Sequence, residues 1–161
     1  MSTLFLLRHA KSIPGGAGLR DFDRMLSDQG RRQAERVGKY LKEHQVNFDL
    51  VLSSTALRAR ETTEIGLATA GSSAEVRYDD RIYEASQQQL LQVISEIEPE
   101  KATVLLVGHN PGFEELLHRL TDRFPSMATA TLAKVVLRAQ EWSHATERGG
   151  KLDWLVKPDE L

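Results

Sequence analysis

The chain contains no cysteine. Disulfides, thiolate nucleophiles and cysteine-bound metals are thereby excluded, which fits a reducing compartment. No stretch approaches the roughly 18 apolar residues that a membrane helix needs. The opening Met1-Ser2-Thr3 lacks a basic segment, and Arg8 breaks the first apolar run too early for a signal peptide. A cytoplasmic location is therefore expected. An excess of one charge is missing too, the formal net charge being -2. We expect no nucleic acid or membrane as partner, and any anion must be held by a local cluster. Repeats, low-complexity segments and linkers are also absent. With 161 residues we expect one domain over 1–161, acting as a monomer.

Several chemical signatures are lacking as well. There is no His-x-x-x-His spacing for zinc, no Gly-x-Ser-x-Gly elbow, no P-loop and no dinucleotide fingerprint. No metal and no cofactor is expected.

What is present begins with Leu4-Phe5-Leu6-Leu7-Arg8-His9. A short unbroken apolar run reads as a strand buried on both faces, as in parallel sheets. Ligands of open α/β sheets bind beyond the carboxyl ends of such strands, which is where Arg8 and His9 fall. Arginine offers a permanent charge and a fork of donors suited to phosphate. Histidine serves as nucleophile or proton carrier near neutral pH. Taken alone, a histidine at a strand end is more often structural.

The rest of the chain repeats the pattern. A glycine-rich loop, Pro14 to Gly18, and the aperiodic stretch Leu19 to Leu26 form a candidate substrate wall. Ser27 reads as the N-cap of a helix whose apolar stripe is Ala34, Val37, Gly38 and Leu41, ending near His44. Leu50-Val51-Leu52 is a second buried strand. The hydroxyl residues Ser53-Ser54-Thr55 after it mark a helix start, with Arg58 in the first turn and Arg60 facing elsewhere. A cation there opposes the helix dipole unless an anion lies between them. Val76-Arg77-Tyr78 reads as an edge strand. Ser86 caps a helix carrying Leu90, Ile94 and Ile97, which Pro99 ends. Val104 to Val107 is another buried strand, running into Gly108-His109-Asn110-Pro111. Asn110 reads as an N-cap, Pro111 as the first helical residue, and Gly108 as room for a close approach. Leu132–Leu137 is expected as a strand with Lys134 exposed. Leu152, Trp154 and Val156 suggest an edge strand, with a polar loop from Glu141 to Gly150 before it. His44, His118 and His144 read as structural or solvated.

Two strand ends thus deliver histidines, and two arginines join them. A pocket of two permanent and two titratable cations suits a phosphoryl group. These residues leave open which histidine is the nucleophile.

The motifs resemble a known family. Leu7-Arg8-His9-Ala10 resembles the Arg-His-Gly signature of the histidine phosphatase superfamily, with alanine in place of glycine. Ser54 to Thr62 resembles its Ser-x-x-x-Arg-Ala-x-x-Thr motif, and Val107 to Pro111 its late Gly-His motif. Asp23 to Gly30 resembles its Arg-Pro-Leu stretch, with Met25 replacing proline. The short length and the Gly-His-Asn-Pro form look most like the small phosphohistidine-phosphatase branch. The resemblance implies an α/β fold, a three-layer α/β/α sandwich with a mostly parallel central sheet, phosphoglycerate-mutase-like. It implies a phosphatase with His9 as nucleophile and Arg8, Arg58 and His109 as phosphate ligands. Asn110, Lys11 and Ser12 would contribute to substrate binding. The insertion carrying the acid glutamate of larger relatives is missing, and Glu84 is the nearest candidate. The implied substrate is a phosphohistidine protein. The alternatives are a small phosphate ester with Glu84 as acid, or a phosphate-binding module without catalysis.

Overall fold

The computed structural model describes residues 2–146 and 149–161. The apolar runs become the strands of one six-stranded sheet. They are β1 (Ser2–Arg8), β2 (Leu50–Ser53), β3 (Glu75–Tyr78), β4 (Thr103–Gly108), β5 (Leu132–Leu137) and β6 (Gly150–Val156). Their order is β3-β2-β4-β1-β5-β6. The first four run parallel, β5 pairs antiparallel with β1, and β6 pairs antiparallel with β5. Four helices complete the fold: α1 (Asp28–Glu43), α2 (Leu57–Ala70), α3 (Gln87–Ser95) and α4 (Gly112–Thr121).

Both sheet faces are covered, which is why the strands read as unbroken apolar runs. Phe5, Leu7, Val51, Leu105 and Val107 pack with Ala34, Val37 and Leu41 of α1 and with Ala59 and Leu67 of α2. Leu4, Leu6, Leu50, Leu52, Val104 and Leu106 point the other way. They meet Leu90, Val93 and Ile94 of α3 and Phe113, Leu116, Leu117 and Leu120 of α4. The result is three layers, α/β/α, as the resemblance implies.

The helix starts follow their caps. Ser27 Oγ accepts the Gly30 N–H at 3.1 Å. Ser86 forms a reciprocal capping box with Gln89. Two expected caps do something else. Asn110 does not cap α4: its Nδ2 donates to the Met127 carbonyl at 2.9 Å, and Pro111 is the flanking residue. The helix therefore begins at Gly112, two residues beyond the expected cap. Likewise α2 starts after Ala56 with no side-chain cap. Thr55 donates to Asp80 instead, and Ser54 turns toward His109.

Three further expectations are corrected by packing. The Glu141–Gly150 segment is not simply a polar loop. Trp142 is buried in the core, and its Nε1–H donates to the Lys101 carbonyl at 2.6 Å. Positions 147 and 148 of that loop lie outside the described residues. Leu152, Trp154 and Val156 do not share a face. A register shift opposite Lys134 and Val135 sends Leu152 toward α3 and α4, and Trp154 and Val156 toward α1 and α2. Lys134 is half-buried rather than exposed and stands 3.3 Å from Asp153.

The connections set the position of the site. From β1 the chain passes over β4 to reach β2, and from β4 it passes over β1 to reach β5. Connections leave these two neighbours in opposite directions, so their carboxyl ends flank the topological switch point. Arg8 pairs in register with Gly108. His9 and His109, one residue on, thus emerge side by side.

Candidate functional site

The two imidazoles lie with their centroids 5.0 Å apart, each at most 8% exposed. His9 Nδ1–H donates to its neighbour's carbonyl, Ala10 O, at 2.7 Å. A carbonyl can only accept, so the proton is on Nδ1 and Nε2 carries the free lone pair. Burial is the largest cause lowering the His9 pKa, the Ala10 bond opposes it as the second, and Arg58, Arg8 and Arg24 lower it further; the pKa falls to about 4. His9 is therefore neutral at pH 7, with its nucleophilic nitrogen free.

The backbone beneath it is tied down. Ala10 N–H donates to Thr62 Oγ1 at 2.9 Å, and that hydroxyl donates to the Arg58 carbonyl at 2.6 Å. One buried threonine thus couples the His9 segment to the first turn of α2. Ala130 N–H reaches both the Arg8 and the His9 carbonyl at 3.0 Å.

His109 Nε2 lies 2.8 Å from Ser54 Oγ. That hydroxyl accepts the Ala56 N–H at 3.2 Å, and Nε2 is the one acceptor within reach of its own proton among the described residues, so Ser54 donates to Nε2. The His109 proton then sits on Nδ1, a buried donor with no hydrogen-bond partner among the described residues. Burial and the neighbouring His9 and Arg58 lower the His109 pKa to about 3, with Asp21 opposing.

The arginines have the same character. Arg8 donates through Nη1 to the Met127 carbonyl at 2.9 Å, while its Nε is buried without a partner. Arg58 donates through Nη1 to the Asp21 carbonyl at 2.8 Å and through Nη2 to Asp21 Oδ2 at 3.0 Å, and its Nε is again unpartnered. Arg24 donates to Ser12 Oγ at 2.8 Å and leaves Nε unpartnered. Among the described residues, four of the six buried side-chain polar atoms without a hydrogen bond are thus N–H donors around one spot. Buried donors are costly to leave unmade, so this cluster asks for an acceptor-rich ligand of negative charge.

Arg8, His9, Arg58 and His109 are brought together as expected. Asn110 lies beside Arg8, both donating to Met127 O, and its Oδ1 has no partner. Ser12 enters through Arg24. Lys11 is exposed, and its Nζ donates toward Gln29 Oε1 at 3.3 Å. Glu84 is exposed, with a positive φ of 53°. Arg60 stacks on the Tyr78 ring at 4.9 Å, away from this group. Gly108 does give close approach, but to the protein's own Phe113 ring, 2.7 Å from where a Cβ would stand.

Sequence reasoning missed Asp21 and Tyr83. Asp21 accepts from Arg58 and from the Tyr83 hydroxyl, the latter at 2.6 Å. The Tyr83 ring packs edge-on against His109 at 5.5 Å and against Phe22 at 5.1 Å. Asp21 lies in an aperiodic loop, where only the wall expectation pointed to it.

The comparisons with known proteins now meet this geometry. The family described as the histidine phosphatase superfamily (branch 1) matches residues 4–90. This chain belongs to that superfamily. Among curated proteins of the same descent, an uncharacterised protein of Mycobacterium leprae is 33% identical over 154 residues, 86% of this chain and 91% of that protein. A chloroplastic protein of Arabidopsis thaliana, also uncharacterised, is 32% identical over 97% of this chain and 78% of its own length. Among solved structures, the putative phosphohistidine phosphatase SixA of Nakamurella multipartitia superposes with a TM-score of 0.85. It is 31% identical, over 98% of this chain and 96% of that one. The putative SixA of Agrobacterium tumefaciens gives 0.84 at 30% identity, over 98% of both chains. The histidine phosphatase fold and the SixA-like branch are thus established, and they support phosphatase activity.

Proposed function

We propose that this histidine phosphatase forms a covalent phosphohistidine on His9 and dephosphorylates phosphohistidine on a protein. The observation that carries the reading is the ring of unpartnered buried donors around the free Nε2 of a neutral histidine. His9 Nε2 attacks phosphorus, and the bond to the leaving group breaks. Arg8, Arg58 and the Nδ1–H of His109 hold the non-bridging oxygens, with Asn110 nearby. Phosphoryl transfer requires mainly positioning and charge stabilisation, and side chains of this chain supply both. Water then cleaves the phosphohistidine.

Substrate class follows from proton supply. An alkoxide leaving group needs a donor at the mouth of the site. Desolvation and the Asp21 bond push the Tyr83 phenol up to about 12, and Tyr83 and Arg58 hold Asp21 below the usual carboxylate range. Glu84 lies exposed with no hydrogen bond to the site. An imidazole leaving from phosphorus depends far less on such a donor. The SixA structures above, named as putative phosphohistidine phosphatases, agree with this choice. The proposal carries a single domain over 1–161 with it, working in the cytoplasm.

A rapid-quench trap with a labelled phosphate donor tests it, on wild type and on His9→Ala and His109→Ala. We expect an acid-labile, base-stable phosphoprotein that vanishes with His9→Ala and persists, at lower yield, with His109→Ala. A label that survives in His9→Ala would move the nucleophile elsewhere. No label at all, with phosphate binding intact in His9→Ala, would leave a binding module.

A further inference from the structure

Two carboxylates act on this cationic site, Glu114 on Arg8 through its charge and Asp21 on Arg58 through a direct bond. The Asp21–Arg58 ion pair runs from floor to mouth, with the arginine side chain 7% exposed and the aspartate 47%. Asp21 Oδ2 is fully engaged, accepting from Arg58 Nη2 and from the Tyr83 hydroxyl. Oδ1 accepts no hydrogen bond from any described residue, and Arg24 Nε stands 3.5 Å from it. A carboxylate with one oxygen hydrogen-bonded twice and the other held only by an ion pair to Arg24 keeps acceptor capacity on Oδ1. It repels the dianion that the arginines attract. Arg58 uses only Oδ2, and Arg24 meets Oδ1 without a hydrogen bond, so neither arginine uses up the acceptor capacity of Oδ1.

We propose that Asp21 Oδ1 accepts the distal N–H of a protonated phosphoimidazole, so that Asp21 selects phosphohistidine over phosphate esters. This rests on the phosphohistidine reading above and adds the residue that enforces it. In a phosphohistidine, phosphorus is bound to one ring nitrogen and a proton on the other makes the ring a cation. A carboxylate at that N–H favours the cationic form. His9 Nε2 then forms the new P–N bond while the old one breaks. The electron pair returns to the ring, which leaves as neutral imidazole with its distal N–H retained. No proton has to be delivered to the leaving atom, which matches a site with no poised acid. Tyr83 serves twice. Its hydroxyl fixes Oδ2, and its ring, with Phe22 packed edge-on against it, forms an aromatic wall beside His109 for a planar leaving group.

The test is a ratio. For wild type and Asp21→Asn, kcat/KM is measured on phosphoimidazole and on p-nitrophenyl phosphate, whose leaving group needs no proton. Asparagine keeps an oxygen for Arg58 and Tyr83 but loses the charge. Any disturbance of Arg58 lowers both rates and cancels in the ratio. We expect the ratio of phosphoimidazole to ester to fall at least tenfold in Asp21→Asn. An unchanged ratio would overturn the role of Asp21 while leaving the phosphohistidine reading standing. A wild type that cleaves the ester but not phosphoimidazole would sink that reading and the inference with it. A third substrate needs no variant. Phosphoimidazole methylated on its distal nitrogen keeps the positive charge but has no N–H, and wild type should prefer the unmethylated compound. Equal rates would show that no hydrogen bond is made there.

Discussion

Removing the Ser54 hydroxyl is the sharpest single test of how the His109 proton is placed. Ser54 is fully buried and lies 2.8 Å from His109 Nε2. Ser54→Ala deletes one oxygen and leaves two groups unmade, the Ala56 N–H and His109 Nε2. Leaving a buried polar group unsatisfied costs about 1–3 kcal/mol. In a chain of this size, 1 kcal/mol moves Tm by roughly 2–4 °C, so a fall of roughly 2–12 °C is expected for each unmade group. The catalytic effect is separate. With Ser54 no longer donating to Nε2, the imidazole proton is free to move there, and Nδ1 then presents a lone pair to phosphate. Losing one preorganised donor to a developing anion typically costs 10²–10³ in rate. The loss is the inverse of the fraction that keeps its proton on Nδ1, so an even division costs about twofold and a tenfold preference for Nε2–H about tenfold; we expect kcat/KM to fall about 2–10-fold.

A double-mutant cycle separates the two effects. If Ser54 acts through His109, Ser54→Ala costs no further activity once His109 is alanine, although it still lowers Tm. Steady-state kinetics on p-nitrophenyl phosphate and thermal melts of the four proteins suffice. Additive losses in activity, or a Ser54→Ala enzyme with a depressed Tm and undiminished kcat/KM, would refute the tautomer argument.

Other perturbations read other parts of the fold. NMR titration of the imidazoles should find His9 with a midpoint near 4 and His109 near 3, because burial and the arginines disfavour the cations; a midpoint above 6 for either contradicts this. Both values lie below the ordinary histidine range near 6.5, so the folded protein binds fewer protons than the unfolded chain in that window. Stability is complete above about pH 6.5 and falls as pH drops from there toward 4, which denaturant melts at several pH values will show. Gly108→Ala sets a Cβ 2.7 Å from the buried Phe113 ring and 3.0 Å from Ile82, so it should destabilise by about 1–3 kcal/mol in urea melts and displace His109. Glu84→Gln should leave phosphoimidazole turnover within about twofold of wild type, since Glu84 is exposed and acts on the site only through its charge on Tyr83, a minor cause there. A drop of tenfold or more on a small ester alone would favour the phosphomonoesterase reading.

What could be read from the sequence follows from which forces act locally. Arg8, His9 and His109 were legible because an apolar run names a buried strand, and a buried parallel strand names its own functional end. The Ser27 and Ser86 caps were legible for the same reason, since a cap acts on backbone three residues away. Asn110 misled because its amide reaches Met127, 17 residues on, and no local pattern records that partner. Leu152 misled because the shift opposite Lys134 and Val135 is a property of two strands together. Asp21 belongs to the same class. Its value lies in contacts to Arg58 and Tyr83, 37 and 62 residues away, and the loop that carries it has no periodicity to betray them.

The order of causes behind the His9 pKa decides whether this site works on a dianion. Desolvation is the largest cause, the Ala10 bond opposes it, and each of the three arginines ranks below both. Had the arginines dominated, a bound phosphoryl group would neutralise them and the His9 pKa would climb back toward its ordinary value. The nucleophile would then be protonated by the arrival of its own substrate. A substrate seated over His9 instead excludes more water, so the larger cause strengthens as the smaller ones weaken. The Nδ1–H to Ala10 bond stabilises the charged ring somewhat, but it also fixes the tautomer that leaves Nε2 bare. The phosphoryl group's own charge favours the imidazolium, so burial at the switch point is what opposes protonation of His9 once the arginines are engaged by the phosphate.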